Sequence, residues 1–121
     1  MAYIINLEHY TDERGTLTVI DKVLPFEIKR SYYITGVNHL ARGGHRHIKL
    51  VEAVICMHGS FTVGIDDGVT KQEIILDNPH QCLIVEVGEY HTFYNFSPNA
   101  ILVSLASTHY DSSDYIYEPY S

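Results

Sequence analysis

Basic residues, cysteines and long apolar runs are scarce in this chain, and each scarcity closes off a class of function. Lysine and arginine together number 8 against 15 aspartates and glutamates, for a formal net charge of −7. A nucleic-acid backbone calls for the opposite sign, and no basic cluster supplies it locally. No stretch approaches the length, about 20 apolar residues, that a membrane helix needs. The first residues, Met1 to Glu8, carry neither the basic n-region nor the long apolar h-region of a signal peptide. Cys56 and Cys82 are the only cysteines, and both lie in apolar strand-like runs. Buried free thiols in a reducing cytoplasm fit that placement better than a disulfide. Helical i, i+3, i+4 rhythm is missing too, as are repeats, linkers and low-complexity segments.

What remains is a chain of 121 residues, 45% apolar and 19% charged, which suits one globular domain over residues 1–121. Turn signals recur every 8 to 12 residues or so, the spacing of an all-β sandwich or barrel. Asp12-Glu13-Arg14-Gly15 breaks the first run, and strands are expected at 17–20 and, after Pro25, at 28–34. His39 to Gly44 reads as a loop. The nearly continuous apolar run from Leu50 to Met57 reads as a central strand buried on both faces. Further strands are expected at 61–65, 71–76, 83–87, 91–95 and 100–106, with a hairpin at Asp66-Asp67-Gly68. The polar, tyrosine-rich tail from Asp111 to Ser121 suits a short helix or an extended arm. A jelly-roll barrel follows from the strand count alone.

Eight histidines are present, and three of them stand in a pattern. His45 and His47 lie two apart, so on one strand they face the same side. Glu52 follows at an odd offset, which on a straight strand would place it on the opposite face. A turn or bulge near Ile48-Lys49 is needed to bring it back. His91 comes from a separate hairpin. Three imidazoles and a carboxylate suit a divalent first-row metal, and the same groups serve equally as acid, base and hydrogen-bond donors without one. His9, His39, His58, His80 and His109 lie near expected turns or termini and are background.

His45, His47, Glu52 and Gly59 form H-x-H-x4-E-x6-G, and Gly88, His91 and Asn95 form G-x2-H-x3-N. Together they resemble the two motifs of the cupin family, with Glu86 where cupins usually have proline. The resemblance narrows over the whole chain. Asp12 to Ile20, Pro25 to Ile34, Arg42-Gly43-Gly44-His45-Arg46-His47, Leu76-Asp77-Asn78-Pro79, Leu105-Ala106-Ser107, Tyr110-Asp111 and Asp114-Tyr115-Ile116 are similar, in that order, to the sugar 3,4-ketoisomerases of the WxcM-like cupins.

That resemblance implies a cupin barrel and an isomerase of deoxysugar and polysaccharide biosynthesis. The substrate would be dTDP-4-keto-6-deoxyglucose, whose C4 ketone moves to C3 without a metal or other cofactor. It also implies a homodimer that exchanges N-terminal strands. Mapped onto this chain, His47 would be the base, His45 its partner or proton donor, and Tyr33 a proton relay, with Tyr32 the lesser candidate. Arg30 and Arg42 would hold the enediolate or the diphosphate, and Arg14 would contact the nucleotide or the barrel mouth. Tyr32, Glu52, Tyr90 and His91 would line the substrate site. Glu52 departs from the family's glutamine, Tyr90 from its tryptophan, Glu86 and Gly88 from a proline-rich segment, and Tyr117 from an arginine. The glutamate restores the full cupin metal set of His45, His47, Glu52 and His91. A metal-binding cupin, a sugar-nucleotide epimerase and a sugar-binding module are the competing readings.

Overall fold

The computed structural model describes residues 1–121 as an all-β protein. Its strands are β1 (Tyr3–Asn6), β2 (His9–Asp12), β3 (Gly15–Thr18), β4 (Arg30–Ile34), β5 (Arg42–His47), β6 (Glu52–His58), β7 (Phe61–Asp66), β8 (Lys71–Leu76), β9 (Gln81–Val85), β10 (Tyr90–Tyr94), β11 (Ile101–Ala106) and β12 (Tyr115–Ile116). Ten of them form two antiparallel five-stranded sheets, ordered β1-β9-β6-β11-β4 and β12-β5-β10-β7-β8, while β2 and β3 pair as a separate hairpin. This is the jelly-roll barrel expected from the turn spacing.

The apolar run at 50–57 becomes β6, the middle strand of the first sheet, and it is buried on both faces as expected. Val54 and Cys56 point between the sheets and join Phe61, Val63, Ile65, Leu76, Leu83, Val85, Phe93 and Leu102 in the main core. Ala53 and Ile55 point the other way, where Leu7, Cys82 and Ile84 meet Leu24 and Phe26 from the irregular segment after β3. That segment covers the first sheet's outer face, which explains why β6 and β9 show no alternation of apolar and polar residues.

Three expectations are refined. Residues 42–44, read as loop, open strand β5, because the glycines there let β5 run close against β10. The first run, before Asp12, divides into two strands, β1 and β2, and the strand expected at 17–20 is β3, at 15–18. The tail, expected as a short helix or an extended arm, contains both. A single 3-10 turn, Ser112–Asp114, leads into β12, which adds to the edge of β5.

Leu102 is fully buried in the main core. Leu102→Ala should cost about 2–5 kcal/mol of stability, the usual range for a core leucine truncation, read as a lowered midpoint in chemical denaturation.

Candidate active site

The strand phases bring one set of side chains into the space between the sheets. His91 on β10 lies directly opposite His45 on β5, so both rings share a face, and His47 follows two residues on. In the facing sheet, Arg30, Ala106 and Glu52 stand in register across β4, β11 and β6, and Tyr32, Ser104 and Val54 form the next row. The odd offset of Glu52 is resolved by a change of sheet. β5 ends at His47, residues 48–51 cross over, and β6 begins at Glu52 facing back at the histidines. Gly43 makes the close approach of β5 and β10 feasible. Its φ is +81°, and a Cβ there would sit 2.9 Å from the carbonyl oxygen of His91.

The result is a pocket of about 310 Å³ lined by Arg30, Tyr32, Arg42, His45, His47, Glu52 and Tyr115 among others. Each histidine sits in a different environment. His45 is the most open of the three, T-shaped to His47 at 4.9 Å and to His91 at 4.7 Å between ring centroids. Burial, then the neighbouring imidazoles, push its pKa down to about 4, so it is neutral at working pH. His47 is buried and faces Asp114, its Nδ1 lying 3.1 Å from a carboxylate oxygen. Burial outweighs the two nearby carboxylates and lowers its pKa as well. Asp114 is itself fixed by the backbone N–H groups of Lys49 and Leu50, which donate to its two oxygens.

His91, only 1% exposed, is the opposite case. Its Nδ1 lies 3.0 Å from the Glu89 carbonyl oxygen, and its Nε2 lies 3.0 Å from Glu52 Oε1. Burial works against charging this ring, but the contact with Glu52 prevails and raises its pKa. Burial likewise opposes ionisation of Glu52, yet His91 and the Ser104 hydroxyl, which donates at 2.8 Å, hold its pKa down at about 2. The two groups form a buried ion pair whose facing atoms, Oε1 and Nε2, are too poorly aligned for a hydrogen bond.

The expected residues divide. His45, His47, Glu52, Arg30, Arg42 and Tyr32 are brought together at the pocket, with His91 directly behind. The two adjacent tyrosines exchange places relative to expectation. Tyr32 points inward, and its hydroxyl donates to Glu52 Oε2 at 3.3 Å, whereas Tyr33 shares its row with Val103 and Ile55 on the outer face and is 68% exposed. Burial and then the Glu52 charge raise the Tyr32 pKa, keeping it a phenol. Tyr33 nonetheless contributes to the pocket lining. Tyr90, one residue out of phase with His91, faces the opposite side of its sheet and lines a more open groove there. Arg14 lies on the tip of the β2–β3 hairpin, paired to Asp12 and away from the pocket within this chain.

Tyr115 lines the pocket and Asp114 supports His47, and sequence reasoning gave neither a role. Tyr115 packs on His45 and His47 at 4.7 and 4.6 Å between centroids. Their only signal was membership in the motif Asp114-Tyr115-Ile116.

A jelly-roll barrel with convergent histidines between its sheets defines a cupin with a small-molecule pocket. The chain belongs to the FdtA family, described as WxcM-like, C-terminal, whose model matches residues 2–121. It is 41% identical over 116 residues to a TDP-4-oxo-6-deoxy-alpha-D-glucose-3,4-oxoisomerase of Aneurinibacillus thermoaerophilus, covering 93% of this chain and 84% of that one. It is 33% identical to a histidine-to-asparagine mutant of the 3,4-ketoisomerase QdtA from Thermoanaerobacterium thermosaccharolyticum, solved in complex with TDP-4-keto-6-deoxyglucose. That match has a TM-score of 0.93 and covers 97% of this chain and 87% of that one. The WlaRB TDP-quinovose 3,4-ketoisomerase of Campylobacter jejuni is 37% identical, also with a TM-score of 0.93, over 97% and 92% of the two chains.

The Glu52–His91 pair has a definite pH signature. A depressed carboxylate pKa stabilises the fold above its ordinary value of 4.5 and loses that effect as pH falls toward about 2. A raised histidine pKa stabilises the fold below its ordinary value of 6.5 and loses that effect as pH climbs through the folded value. Wild type should therefore exceed Glu52→Gln by roughly 3 kcal/mol between those two ordinary values, with the gap narrowing on either side. Urea denaturation across the pH range reads it directly.

Proposed function

We propose that the chain is a 3,4-ketoisomerase of a TDP-linked 4-keto-6-deoxyhexose, moving the ketone from C4 to C3 through an enediol. The observation that carries this reading is the division of protonation states within one pocket. Burial lowers the pKa of His45 and His47, while the contact with Glu52 raises that of His91 against its burial. An isomerisation of this kind needs a base and an acid ready together, and environments that push neighbouring groups apart supply both.

His47 takes the proton from C3, which the adjacent ketone acidifies. Asp114 behind it offsets the positive charge that the ring acquires. His45, at the front of the pocket, passes protons between the two sugar oxygens, and Tyr32 rather than Tyr33 is the phenol placed to assist. Arg30 and Arg42 carry guanidinium groups at the mouth, suited to the enediolate oxygen or the diphosphate. His47, now protonated, returns its proton at C4 as the ketone forms at C3, which restores the base with no net gain or loss of electrons, so the reaction needs no redox cofactor.

A second reading rests on one observation. Ligand atoms of His45, His47 and His91 lie within 4.8 Å of one another, a group that does not include Glu52. These donors fit a divalent first-row ion, which would polarise the substrate's carbonyl. Metal-stripped protein incubated with dTDP-4-keto-6-deoxyglucose in deuterated water separates the two. The expected outcome is a 3-keto product with deuterium at C4, formed without added metal. Dependence on a divalent ion would favour the second reading. His47→Asn should lower turnover by at least 100-fold, the usual share of a general base. Turnover kept by His47→Asn and lost by His45→Asn would reverse the two roles.

The same reading includes a cytoplasmic homodimer. Two buried free thiols suit a reducing compartment. The β2–β3 hairpin stands off both sheets with Tyr10 and Leu17 exposed, and Tyr33 is exposed on edge strand β4. Together they offer an apolar surface for a second copy of the chain. Light scattering should give twice the chain mass of 13.8 kDa, and Leu17→Glu should shift it toward the monomer.

A further inference from the structure

The segment beyond β12 does more than close the sheet edge. It crosses the outer face of the second sheet and ends in Tyr120, whose hydroxyl donates to the Gly88 carbonyl oxygen at 2.6 Å. The ring lies beneath the guanidinium of Arg46, 4.0 Å from its centroid. It also fills the space beside Gly68, where a Cβ would meet it at 3.2 Å. Tyr120 is thus held by a hydrogen bond, a cation–π contact and a fitted glycine surface.

What Tyr120 touches leads straight to the pocket. Gly88, with φ +76°, belongs to the loop between β9 and β10, and its N–H donates to the His47 carbonyl oxygen at 2.8 Å. The next residue, Glu89, presents the carbonyl oxygen that faces His91 Nδ1. The buried Glu89 side chain holds the loop from inside by accepting from the Glu86 N–H at 2.7 Å. One short loop therefore fixes the backbone of His47 and the ring of His91 at once. Arg46, the residue under which Tyr120 lies, is the link between His45 and His47 on β5, with its side chain on the opposite face.

We infer that Tyr120 is a positioning residue for the pocket, acting through the Gly88–Glu89 loop to set His47 and His91. It does not touch the pocket itself. Its hydroxyl anchors the loop from outside the barrel, opposite the Glu89 carboxylate that anchors it from within. The kinetic consequence rests on the ketoisomerase reading, whereas the structural consequence at His91 does not.

Tyr120→Phe removes the hydroxyl and keeps the ring under Arg46, so it isolates the Gly88 bond from the packing. Losing one hydrogen bond's worth of positioning should lower kcat roughly 3- to 10-fold with KM within about twofold, because the substrate contacts stay in place. In parallel, the His91 Nδ1 proton, followed by NMR of the imidazole nitrogens, should exchange with solvent faster than in wild type. Lys71→Ala, which removes the contacts of Lys71 Nζ with the Ser121 hydroxyl and the Asp66 carboxylate but leaves the Gly88 bond in place, should change neither readout. An unchanged His91 signal in Tyr120→Phe overturns the inference, whether or not kcat falls. A changed signal in a protein whose wild type shows no turnover of the 4-keto sugar nucleotide keeps the positioning role and rejects the ketoisomerase reading. Because the variant retains the tyrosine's ring, a drop in melting temperature of more than a few degrees would show the hydroxyl to be a general structural prop and also count against it.

Discussion

A carboxylate set into the interior of a β-barrel has to be compensated where it stands, because water is not there to do it. Glu52 is that carboxylate, 3% exposed and facing the opposite sheet. Its neighbours answer it: His91 with a charge, Ser104 and Tyr32 with hydroxyls. Burial, with the neighbouring imidazoles adding to it, lowers the pKa of the other two rings even though Glu52 pulls them the other way. The buried acid thus governs its partner His91, and burial governs His45 and His47. Asp114 plays the complementary part at the other end, set at His47 and taking its own support from backbone N–H groups.

Much of this was legible in the chain. The turn spacing announced the barrel, and the continuous run at 50–57 announced a strand covered on both sides, which β6 is. His45, His47, Glu52 and His91 were identifiable from spacing. The odd step from His47 to Glu52 even required the irregularity that the structure supplies as a crossing between sheets. What spacing could not supply was absolute phase. Tyr32 and Tyr33 are chemically the same residue side by side, and only the pairing of β4 with β11 decides which one looks inward. Tyr90 was misplaced for the same reason, being adjacent to a residue that does face the pocket.

The second blind spot was the tail. Asp114, Tyr115 and Tyr120 come from a segment whose composition reads as polar surface, and no periodicity marks it. Their roles depend on a strand of two residues adding to the edge of β5 and carrying the chain past the histidines. Short edge strands have almost no sequence signature, because the burial that gives longer strands their pattern is missing. The family motif contained Asp114 and Tyr115, but a motif names residues without saying what they meet.

The struts of the pocket span long stretches of chain: Asp114 reaches His47 across 67 positions, and Ser104 reaches Glu52 across 52. Contacts of that reach give little return until most of the polypeptide has already been ordered, so they form late and depend on everything before them. The hairpin of β7 and β8, by contrast, is purely local. The pairing of β1 with β9 and of β11 with β6 spans comparable stretches, so barrel and pocket draw on the same long-range closure and neither is complete without the other.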